Sequence, residues 1–268
     1  MVLRTHRAWR RHLLALRDKP GSPVAEAYRS LRTSLQFLSE ERQGALVVTS
    51  WSKGDGKTTC VANLGVALAT AGRRVLLVSA DMRQPGLDRI FGPMHRPGLS
   101  RLLGGGGEQD GVQPTDVPGL DVLPCGPIPP NPAELLGMPV LGALLRGWQQ
   151  AYDHVLFDAP PLLGVTDALL LARRVGRALL VVRAMRTTDR ALATSSRLLR
   201  EAGVDVLGCV LVGHRAPEDA SAYGYGSIYE PAGGLALVPG PEAPLLAPGS
   251  GALPAIAPQV PESEPEDA

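Results

Sequence analysis

The fold is decided by Val47–Thr59, VVTSWSKGDGKTT. A short apolar run is followed by a loop rich in Gly, Ser and Lys, and then by a segment that opens like a helix. A strand that stops at Gly54–Gly56 lets successive backbone N–H groups face one concavity, where they can bind an anion. The positive end of the helix dipole also points to this concavity and favours negative charge there. We therefore expect Lys57 to reach the phosphates of a nucleotide and Thr58 to ligate Mg²⁺.

The loop departs from the usual phosphate-binding pattern at one position, because Trp51 stands where that pattern has its first glycine. An ordinary strand, turn and helix with a chance Gly-Lys-Thr is the alternative interpretation. The flanking strand and helix pattern favours nucleotide binding. The residues predicted to bind the nucleotide are Gly54, Asp55, Gly56, Lys57, Thr58 and Thr59.

The length and composition of the chain limit the number of domains and the cellular location that we expect. The chain has 268 residues and a net charge of +1, so we expect one large domain, with or without tails, and the charge favours no particular partner. Its three cysteines, Cys60, Cys125 and Cys209, are far apart and are typical of a reducing compartment. No apolar run approaches the roughly 18 residues needed to span a bilayer, and no signal-peptide core is present. These features predict a cytoplasmic protein.

Apolar runs alternate with helical patterns along most of the chain. The runs predicted as strands are Ala45–Ser50, Val75–Ala80, Leu120–Leu123, His154–Asp158, Ala178–Arg183 and Gly208–Val212. The predicted helices between them are Thr58–Ala71, Val140–Tyr152, Thr166–Arg174 and Asp189–Ala202. Strands that are apolar on both faces and separated by helices predict an α/β fold, with a mostly parallel sheet and helices on both faces.

The two ends of the chain differ from its middle. Residues 1–20 are predicted to be a basic arm, either an amphipathic helix on an anionic lipid surface or a poorly ordered segment. Residues 21–226 are predicted to form a single domain. Residues 227–268 are rich in Pro, Ala, Gly and Glu, so we expect a disordered tail that starts with the end of a tyrosine cluster.

Two predicted strands end in carboxylates. Asp81 follows the Val75 strand, and Asp158 ends the His154 strand. A carboxylate at the tip of a buried strand costs free energy unless a cation or several donors meet it. Either residue alone could be a turn former or a helix cap. Because both follow a phosphate loop, we predict that Thr58, Asp81 and Asp158 hold a metal ion.

Several blocks together resemble the bacterial tyrosine kinases of capsular and exopolysaccharide assembly, which are P-loop NTPases related to the MinD/ParA ATPases. GDGKTT resembles their Walker A motif, VLLVSADMRQP their Walker A′ and AYDHVLFDAPP their Walker B, and PPNPAELL is similar to a further family segment. GSPVAEAYRSLRTSLQF resembles the oligomerisation helix, so Glu26, Arg29 and Arg32 match its ExxRxxR motif. Tyr223, Tyr225 and Tyr229 match the C-terminal tyrosine cluster.

The resemblance implies an ATP- and Mg²⁺-dependent tyrosine autokinase that assembles into a homo-oligomeric ring. The tyrosines of one subunit would be phosphorylated in the site of the next. Lys57, Asp81 and Asp158 would be catalytic: Lys57 on the phosphates, Asp158 on Mg²⁺ through water, and Asp81 on Mg²⁺ or on the tyrosine hydroxyl. The implied partners are a separate membrane activator of polysaccharide co-polymerase type and a cognate tyrosine phosphatase, with no nucleic acid. The protein would be peripheral at the inner face of the membrane.

Three positions depart from the family pattern. Ser79 stands where the Walker A′ motif usually has its first aspartate, and a hydroxyl cannot replace a carboxylate as a proton acceptor. His214 follows Gly213 after a strand that usually ends in an adenine-reading Asn, and Lys53 replaces a usual Pro. Two alternatives therefore stay open. One is a catalytically weak ATP-binding scaffold of the same assembly. The other is a ParA/MinD-like ATPase, which Ser52 disfavours because such proteins have a lysine at that position.

Overall fold

An eight-stranded sheet lies at the centre of the computed structural model, which describes residues 14–38, 44–92, 97–106, 111–214 and 234–239. The strands are β1 Gly44–Ser50, β2 Val75–Ser79, β3 Gln113–Pro114, β4 Leu120–Leu123, β5 His154–Asp158, β6 Arg177–Arg183, β7 Asp205–His214 and β8 Gly234–Pro239. Their spatial order is β3-β4-β2-β5-β1-β6-β7-β8. All pairs from β4 to β7 are parallel, and β3 and β8 join antiparallel at the edges. The predicted mostly parallel sheet is confirmed.

Helices cover both faces of the sheet, as predicted. They are α1 Ala15–Asp18, α2 Pro23–Leu38, α3 Lys57–Ala69, α4 Leu87–Phe91, α5 Leu99–Leu103, α6 Pro132–Gly137, α7 Val140–Ala151, α8 Asp167–Val175 and α9 Asp189–Glu201. Buried side chains of α1 to α4 form one apolar core against the sheet, and those of α5 to α9 form a second core on the opposite face.

The alternation of side chains along β1 shows why the sheet needs both layers. Leu46 and Val48 point into the first core, while Ala45 and Val47 point into the second. Every residue of β1 is buried. Because neither face of the strand meets water, both faces must be apolar, which is the pattern of a central parallel strand.

The predicted strands and long helices are present with small changes at their ends. Leu120–Leu123 and His154–Asp158 have the predicted bounds, and β7 starts three residues before the predicted Gly208. The short helices α4, α5 and α6 were not predicted. Each has only five or six residues, which is too short to show a helical repeat of apolar positions.

The prediction of a basic arm over residues 1–20 is wrong for residues 14–18. The Leu14 side chain has no exposed surface and Leu16 is buried, and both belong to the first core. The backbone N–H of Ala15 donates to Asn63 Oδ1 at 2.7 Å, and Arg17 pairs with Asp116 at 2.9 Å. This segment therefore docks on α3 and the neighbouring loop, while residues 1–13 lie outside the described residues.

The prediction of a disordered tail over residues 227–268 is wrong for Gly234–Pro239. These residues form β8, which pairs antiparallel with β7. The edge of β7 offers a row of backbone N–H and C=O groups, and a short run such as Leu-Ala-Leu-Val can pair with them. Because the residues around this run are rich in Pro and Gly, the composition predicted disorder for the whole segment. The rest of the tail lies outside the described residues.

Within the described ranges, no helix has the length and apolar character needed to cross a membrane.

We predict that Leu14→Ala lowers the free energy of unfolding by about 2–5 kcal/mol, because it removes buried methyl groups and leaves a cavity. Urea denaturation followed by circular dichroism measures this change. Leu170→Ala is the matched control, because Leu170 is 39% exposed on α8 and its truncation should change stability by about 0.5 kcal/mol or less. Equal effects of the two substitutions would contradict the docking of residues 14–18.

Candidate active site

The phosphate loop leaves the carboxyl end of β1, which lies between β5 and β6 in the sheet. Gly54 and Gly56 have φ angles of +84° and +100°, values that side-chain-bearing residues rarely adopt. Lys57 is the first residue of α3, so the helix begins directly after the loop. This geometry is that of an anion-binding loop at a helix N-terminus.

The Asp55 side chain forms a hydrogen bond within this loop. It is fully buried, and its Oδ2 accepts a hydrogen bond of 2.8 Å from the backbone N–H of Ser52. Asp55 is one of the residues predicted to bind the nucleotide, and that call stays a prediction. Its buried side chain stabilises the conformation of the loop.

A buried lysine and a buried aspartate lie at the centre of the site. Asp158 has no exposed surface, and neither of its carboxylate oxygens has a partner that meets ordinary hydrogen-bond geometry. Burial raises the pKa of Asp158 to about 7, against the opposing effects of the nearby Thr58 hydroxyl and Lys57. Burial also lowers the pKa of Lys57, and Asp158, Asp81 and Asp55 oppose this change. Both side chains are thus buried, and the oxygens of Asp158 have no hydrogen-bond partner.

The sheet register brings the two strand-end segments together. Asp158 on β5 is level with Val48 on β1 and with Ser79 on β2. The segment after β2 then passes over the start of α3, where a Cβ atom built on Gly86 would lie 2.6 Å from Thr58 Oγ1. The structure therefore gathers Lys57, Thr58, Asp158 and the chain after Ser79 at one edge of the sheet.

Asp81 is half-buried at this edge and is partly engaged by its own loop. Its Oδ1 accepts a hydrogen bond of 2.9 Å from the backbone N–H of Gln84. Burial raises the pKa of Asp81, and the Gln84 N–H and Lys57 oppose the change.

Thr59 follows Thr58 in α3, and its side chain is half-buried. Its backbone carbonyl accepts a hydrogen bond of 2.9 Å from Asn63 Nδ2.

Among the described residues, no three His, Cys, Asp or Glu side chains converge closely enough to hold a metal ion by themselves. A hydroxyl from Thr58 and carboxylates from Asp158 and Asp81 are nevertheless hard oxygen donors at one edge. This donor set is typical of Mg²⁺ sites that are completed by water and phosphate oxygens. The orphaned oxygens of Asp158 fit a cation at this position.

Three basic side chains of the site were not predicted from the sequence. Arg83 makes a bidentate ion pair with the buried Asp167, in which Nε donates to Oδ2 at 2.8 Å and Nη2 donates to Oδ1 at 3.0 Å. This pair connects the segment after β2 to the start of α8. Arg183 Nη1 donates to the Gly54 carbonyl at 3.0 Å, and the Arg186 guanidinium also lies against Gly54. The only sequence signal for them was their position, because Arg183 ends a predicted strand and Arg83 and Arg186 each follow a predicted strand end by three residues.

A separate cavity of about 470 Å³ opens beside Arg83 and the start of α8. Its lining includes Arg83, Leu162, Thr166 and Leu198, and none of the phosphate-loop residues. It is therefore distinct from the phosphate site, although the two share the segment that contains Arg83.

Glu26, Arg29 and Arg32 lie on α2, away from the phosphate loop. Arg29 pairs with Glu26 at 2.7 Å and donates to the Pro20 carbonyl at 2.7 Å. Arg32 donates to the Ala67 carbonyl, ten residues along α3 from Lys57. The described structure does not bring this predicted oligomerisation motif to the nucleotide site. The predicted phosphoacceptors Tyr223, Tyr225 and Tyr229 lie outside the described residues.

Comparison with known proteins decides the family. Residues 46–223 match the family described as the CobQ/CobB/MinD/ParA nucleotide binding domain. The tyrosine-protein kinase YwqD of Bacillus subtilis is 38% identical over 229 residues, which is 84% of this chain and 96% of YwqD. The chain belongs to the bacterial tyrosine-protein kinases. Within this kinase family, EpsB of Ralstonia solanacearum is 43% identical over 220 residues, 81% of this chain but only 29% of the length of EpsB.

Solved structures agree with this assignment to the bacterial tyrosine-protein kinases. The kinase domain of the Escherichia coli tyrosine kinase ETK has a TM-score of 0.71 and 36% identity, over 74% of this chain and 78% of that domain. MinD of Pyrococcus horikoshii in complex with Mg-ADP has a TM-score of 0.53 and 25% identity, over 63% of this chain and 69% of MinD. The chain is thus a nucleotide-binding domain of the MinD/ParA class with kinases among its relatives.

We predict that Asp158→Asn stabilises the ligand-free protein at pH 8 by roughly 1–3 kcal/mol, because it removes a buried charge without partners. The same substitution should abolish the rise in melting temperature that ADP with Mg²⁺ gives the wild-type protein. Differential scanning calorimetry with and without the nucleotide measures both effects.

Asp153→Asn, just before the same strand, is the matched control. Asp153 accepts from the Arg74 N–H at 2.8 Å and pairs with its guanidinium at 3.3 Å. This control should not gain stability and should keep the nucleotide-induced rise. A ligand-free Asp158→Asn protein less stable than the wild type would show that the carboxylate is satisfied without a ligand.

Proposed function

We propose that the chain is an ATP-dependent protein-tyrosine autokinase that regulates the polymerisation and export of a capsular or exopolysaccharide. One observation carries the proposal: the phosphate loop ends in the buried Lys57, whose charge acts on the buried carboxylate of Asp158, and neither oxygen of that carboxylate has a hydrogen-bond partner. Such a pair is costly unless an ionic ligand joins it. The kinase relatives support a nucleoside triphosphate as that ligand, with tyrosine as the phosphoryl acceptor.

ATP is the proposed substrate and Mg²⁺ the proposed cofactor. The backbone of Gly54–Gly56 would bind the phosphate oxygens, and Lys57 would neutralise charge that develops during transfer. Thr58 and Asp158 would hold Mg²⁺, with Asp81 as a further ligand or as the group that orients the tyrosine hydroxyl. When bound, Mg²⁺ supplies neutralisation of negative charge on the phosphates.

Tyr223, Tyr225 and Tyr229 are the proposed acceptors, and in the sequence they follow the strand β7. Each phosphate would add about −1.5 to −2 charge, and the resulting repulsion would favour departure from a homo-oligomeric ring. We further propose a separate membrane activator of polysaccharide co-polymerase type, a cognate tyrosine phosphatase, and a cytoplasmic location at the inner face of the membrane through that activator.

A catalytically weak scaffold is the second candidate, and Ser79 favours it. Ser79 ends β2 beside Asp158, is fully buried, and has an Oγ without a hydrogen-bond partner. A hydroxyl at this position is a poor proton acceptor at neutral pH. In this case ATP binding and assembly would regulate the partner without phosphoryl transfer.

We predict that the purified protein, mixed with ATP, Mg²⁺ and its activator, gains phosphate on tyrosine. Lys57→Met should abolish the labelling, because it removes the charge that meets the phosphates, and replacing Tyr223, Tyr225 and Tyr229 together by Phe should also abolish it. Phosphotyrosine immunoblotting and mass spectrometry measure the outcome. Lys19→Met and Tyr152→Phe are matched controls that should label normally. Normal ATP binding without any labelling would favour the scaffold.

We also predict that replacing Glu26, Arg29 and Arg32 together by Ala lowers the mass of the assembled protein in sedimentation velocity, because these residues are the proposed ring contact. Nucleotide affinity should not change, since Arg32 meets the end of α3 remote from Lys57. The paired change Arg197→Ala with Glu201→Ala removes another exposed ion pair, on α9, and is the control. An unchanged mass in the triple variant would rule out α2 as the contact.

A further inference from the structure

The cavity of about 470 Å³ beside Arg83 takes no part in the proposed chemistry. Most of its wall is apolar and is formed by Leu162, Val165, Leu169 and Leu198. Among the described residues that line it, Arg83 alone is charged. The volume lies in the range of about 300–1,000 Å³ that is typical of sites for small organic groups. The cavity therefore suits a group that has an apolar body and a position that a cation attracts.

The guanidinium of Arg83 is fixed at this wall, but its donors are not all used. Nε and Nη2 donate to the buried Asp167 at 2.8 and 3.0 Å. In the described parts of the chain, Asp167 is its only hydrogen-bond partner, and the Arg83 side chain remains 46% exposed. Nη1 is therefore left for a ligand. A guanidinium held in this way also attracts the face of an aromatic ring.

Hydrogen bonds connect the cavity wall to the phosphate loop. The backbone N–H of Leu162 donates to the Ser50 carbonyl at 2.8 Å, and the next N–H along the chain donates to the Trp51 carbonyl at 3.0 Å. Arg83 follows Asp81 by two residues, so their Cα atoms are at most about 7 Å apart. Asp81 is a proposed ligand of Mg²⁺ or of the tyrosine hydroxyl. The cavity therefore lies within about two residue lengths of the place where transfer is proposed.

The proposed acceptor segment carries rings at a matching spacing. Tyr223 and Tyr225 are two residues apart. In an extended chain, such side chains lie on the same side and are about 7 Å apart. One ring can therefore occupy the cavity while the other lies at the γ-phosphate.

The charges of the segment and of the cavity surface are complementary. Residues 216–230 contain three carboxylates and no Lys or Arg. Arg83 stands in the cavity wall, and α9, which contributes Leu198, carries three arginines against two carboxylates. Opposite charges steer two surfaces together and help to fix their register. An acidic segment with aromatic rings therefore fits this surface.

The fold favours a second copy of the chain as the source of the docked ring. Gly234 of β8 pairs with His214 of β7, so both ends of segment 215–233 are held at the β7 edge. β7 lies four positions from β2 in the sheet, which is roughly 19 Å at about 4.8 Å per strand. The chain's own segment would have to cross this distance to the residues after β2 and return. The segment of a neighbouring copy can approach from outside.

We propose that the cavity beside Arg83 is a docking site for the ring of one tyrosine in the acceptor segment of a second copy of this chain. This inference rests on the proposed kinase function. The docked ring contacts Leu198 and the Arg83 guanidinium, and it holds the tyrosine two residues away at the γ-phosphate. The cavity thereby selects acceptor segments that have two aromatic rings at this spacing.

Binding of the segment tests the cavity without any phosphoryl transfer. The probe is a fluorescein-labelled peptide of residues 219–233. The receiving protein is the full chain with Tyr223, Tyr225 and Tyr229 replaced by Ala, so that its own segment cannot compete. Leu198→Trp fills the cavity and should weaken binding by about tenfold or more in fluorescence anisotropy, because it displaces a buried aromatic ring. Unchanged affinity in Leu198→Trp, or no binding to either protein, would overturn the inference.

Ile128→Trp is the matched control, because it adds similar bulk at a residue that is 64% exposed and outside the cavity lining. It should change the affinity by less than about twofold. A peptide with all three tyrosines replaced by Phe keeps the rings and should bind within about fivefold of the original peptide. The corresponding Ala peptide should bind about tenfold more weakly or worse.

These peptide changes leave the protein untouched, so they decide the outcome if Leu198→Trp does not fold. Equal affinities of the Ala peptide and the original peptide would show that no ring is docked.

Mixed chains test whether the ring comes from a second copy. Lys57→Met with intact tyrosines is the substrate chain, and the chain with the three tyrosines replaced by Ala is the enzyme chain, with ATP, Mg²⁺ and the activator. Leu198→Trp in the enzyme chain should raise the KM for the substrate chain by about tenfold and change kcat by less than about threefold. The same substitution in the substrate chain should change neither. An effect seen only in the substrate chain would overturn the assignment to a second copy.

The two tests separate this inference from the proposed function. If the peptide binds as predicted but no mixture gains phosphate on tyrosine, the kinase function fails, while docking of the segment in the cavity stands. If tyrosine is labelled and Leu198→Trp in the enzyme chain leaves the KM unchanged, the kinase function stands and the inference fails.

Discussion

The burial of the Asp158 carboxylate is the constraint on which the rest of the structure depends. Its strand lies between β1 and β2, so the side chain emerges where the two neighbouring strands end and where water cannot reach it. Burial raises the pKa of this group to about 7, and Lys57 only partly offsets the cost. A protein tolerates such a charge where a ligand completes its coordination, which is why we assign the site to a nucleotide and a cation.

The charges around this pair explain why a cation is needed as well as a phosphate. Burial lowers the pKa of Lys57, and the negative charges of Asp158, Asp81 and Asp55 oppose this change. Burial raises the pKa of Asp158, and the charges of Asp81 and Asp88 raise it further. Several carboxylates therefore act on one buried ammonium group. Arg183 and Arg186 adjoin Gly54 in the phosphate loop. We therefore expect the phosphates to lie along the loop and the cation to lie beside Asp158.

The sequence predicted those parts of the molecule whose signals are local. The phosphate loop, the central strands and the strand-end aspartates follow from short runs of residue types, because an apolar run and a glycine-rich loop are recognisable within a few residues. Docking of Leu14 and pairing of β8 with β7 depend on distant surfaces, so composition alone indicated a basic arm and a disordered tail.

The proposed function requires that the phosphoryl group of ATP passes to tyrosine and not to water. The most direct measurement uses ATP whose γ-phosphate carries heavy oxygen, and follows the label by mass spectrometry in both the protein and the released inorganic phosphate. We predict that, with Mg²⁺ and the activator, the label appears on the segment that contains Tyr223, Tyr225 and Tyr229. Label found only in inorganic phosphate would contradict the account and would indicate an ATPase of the ParA/MinD type.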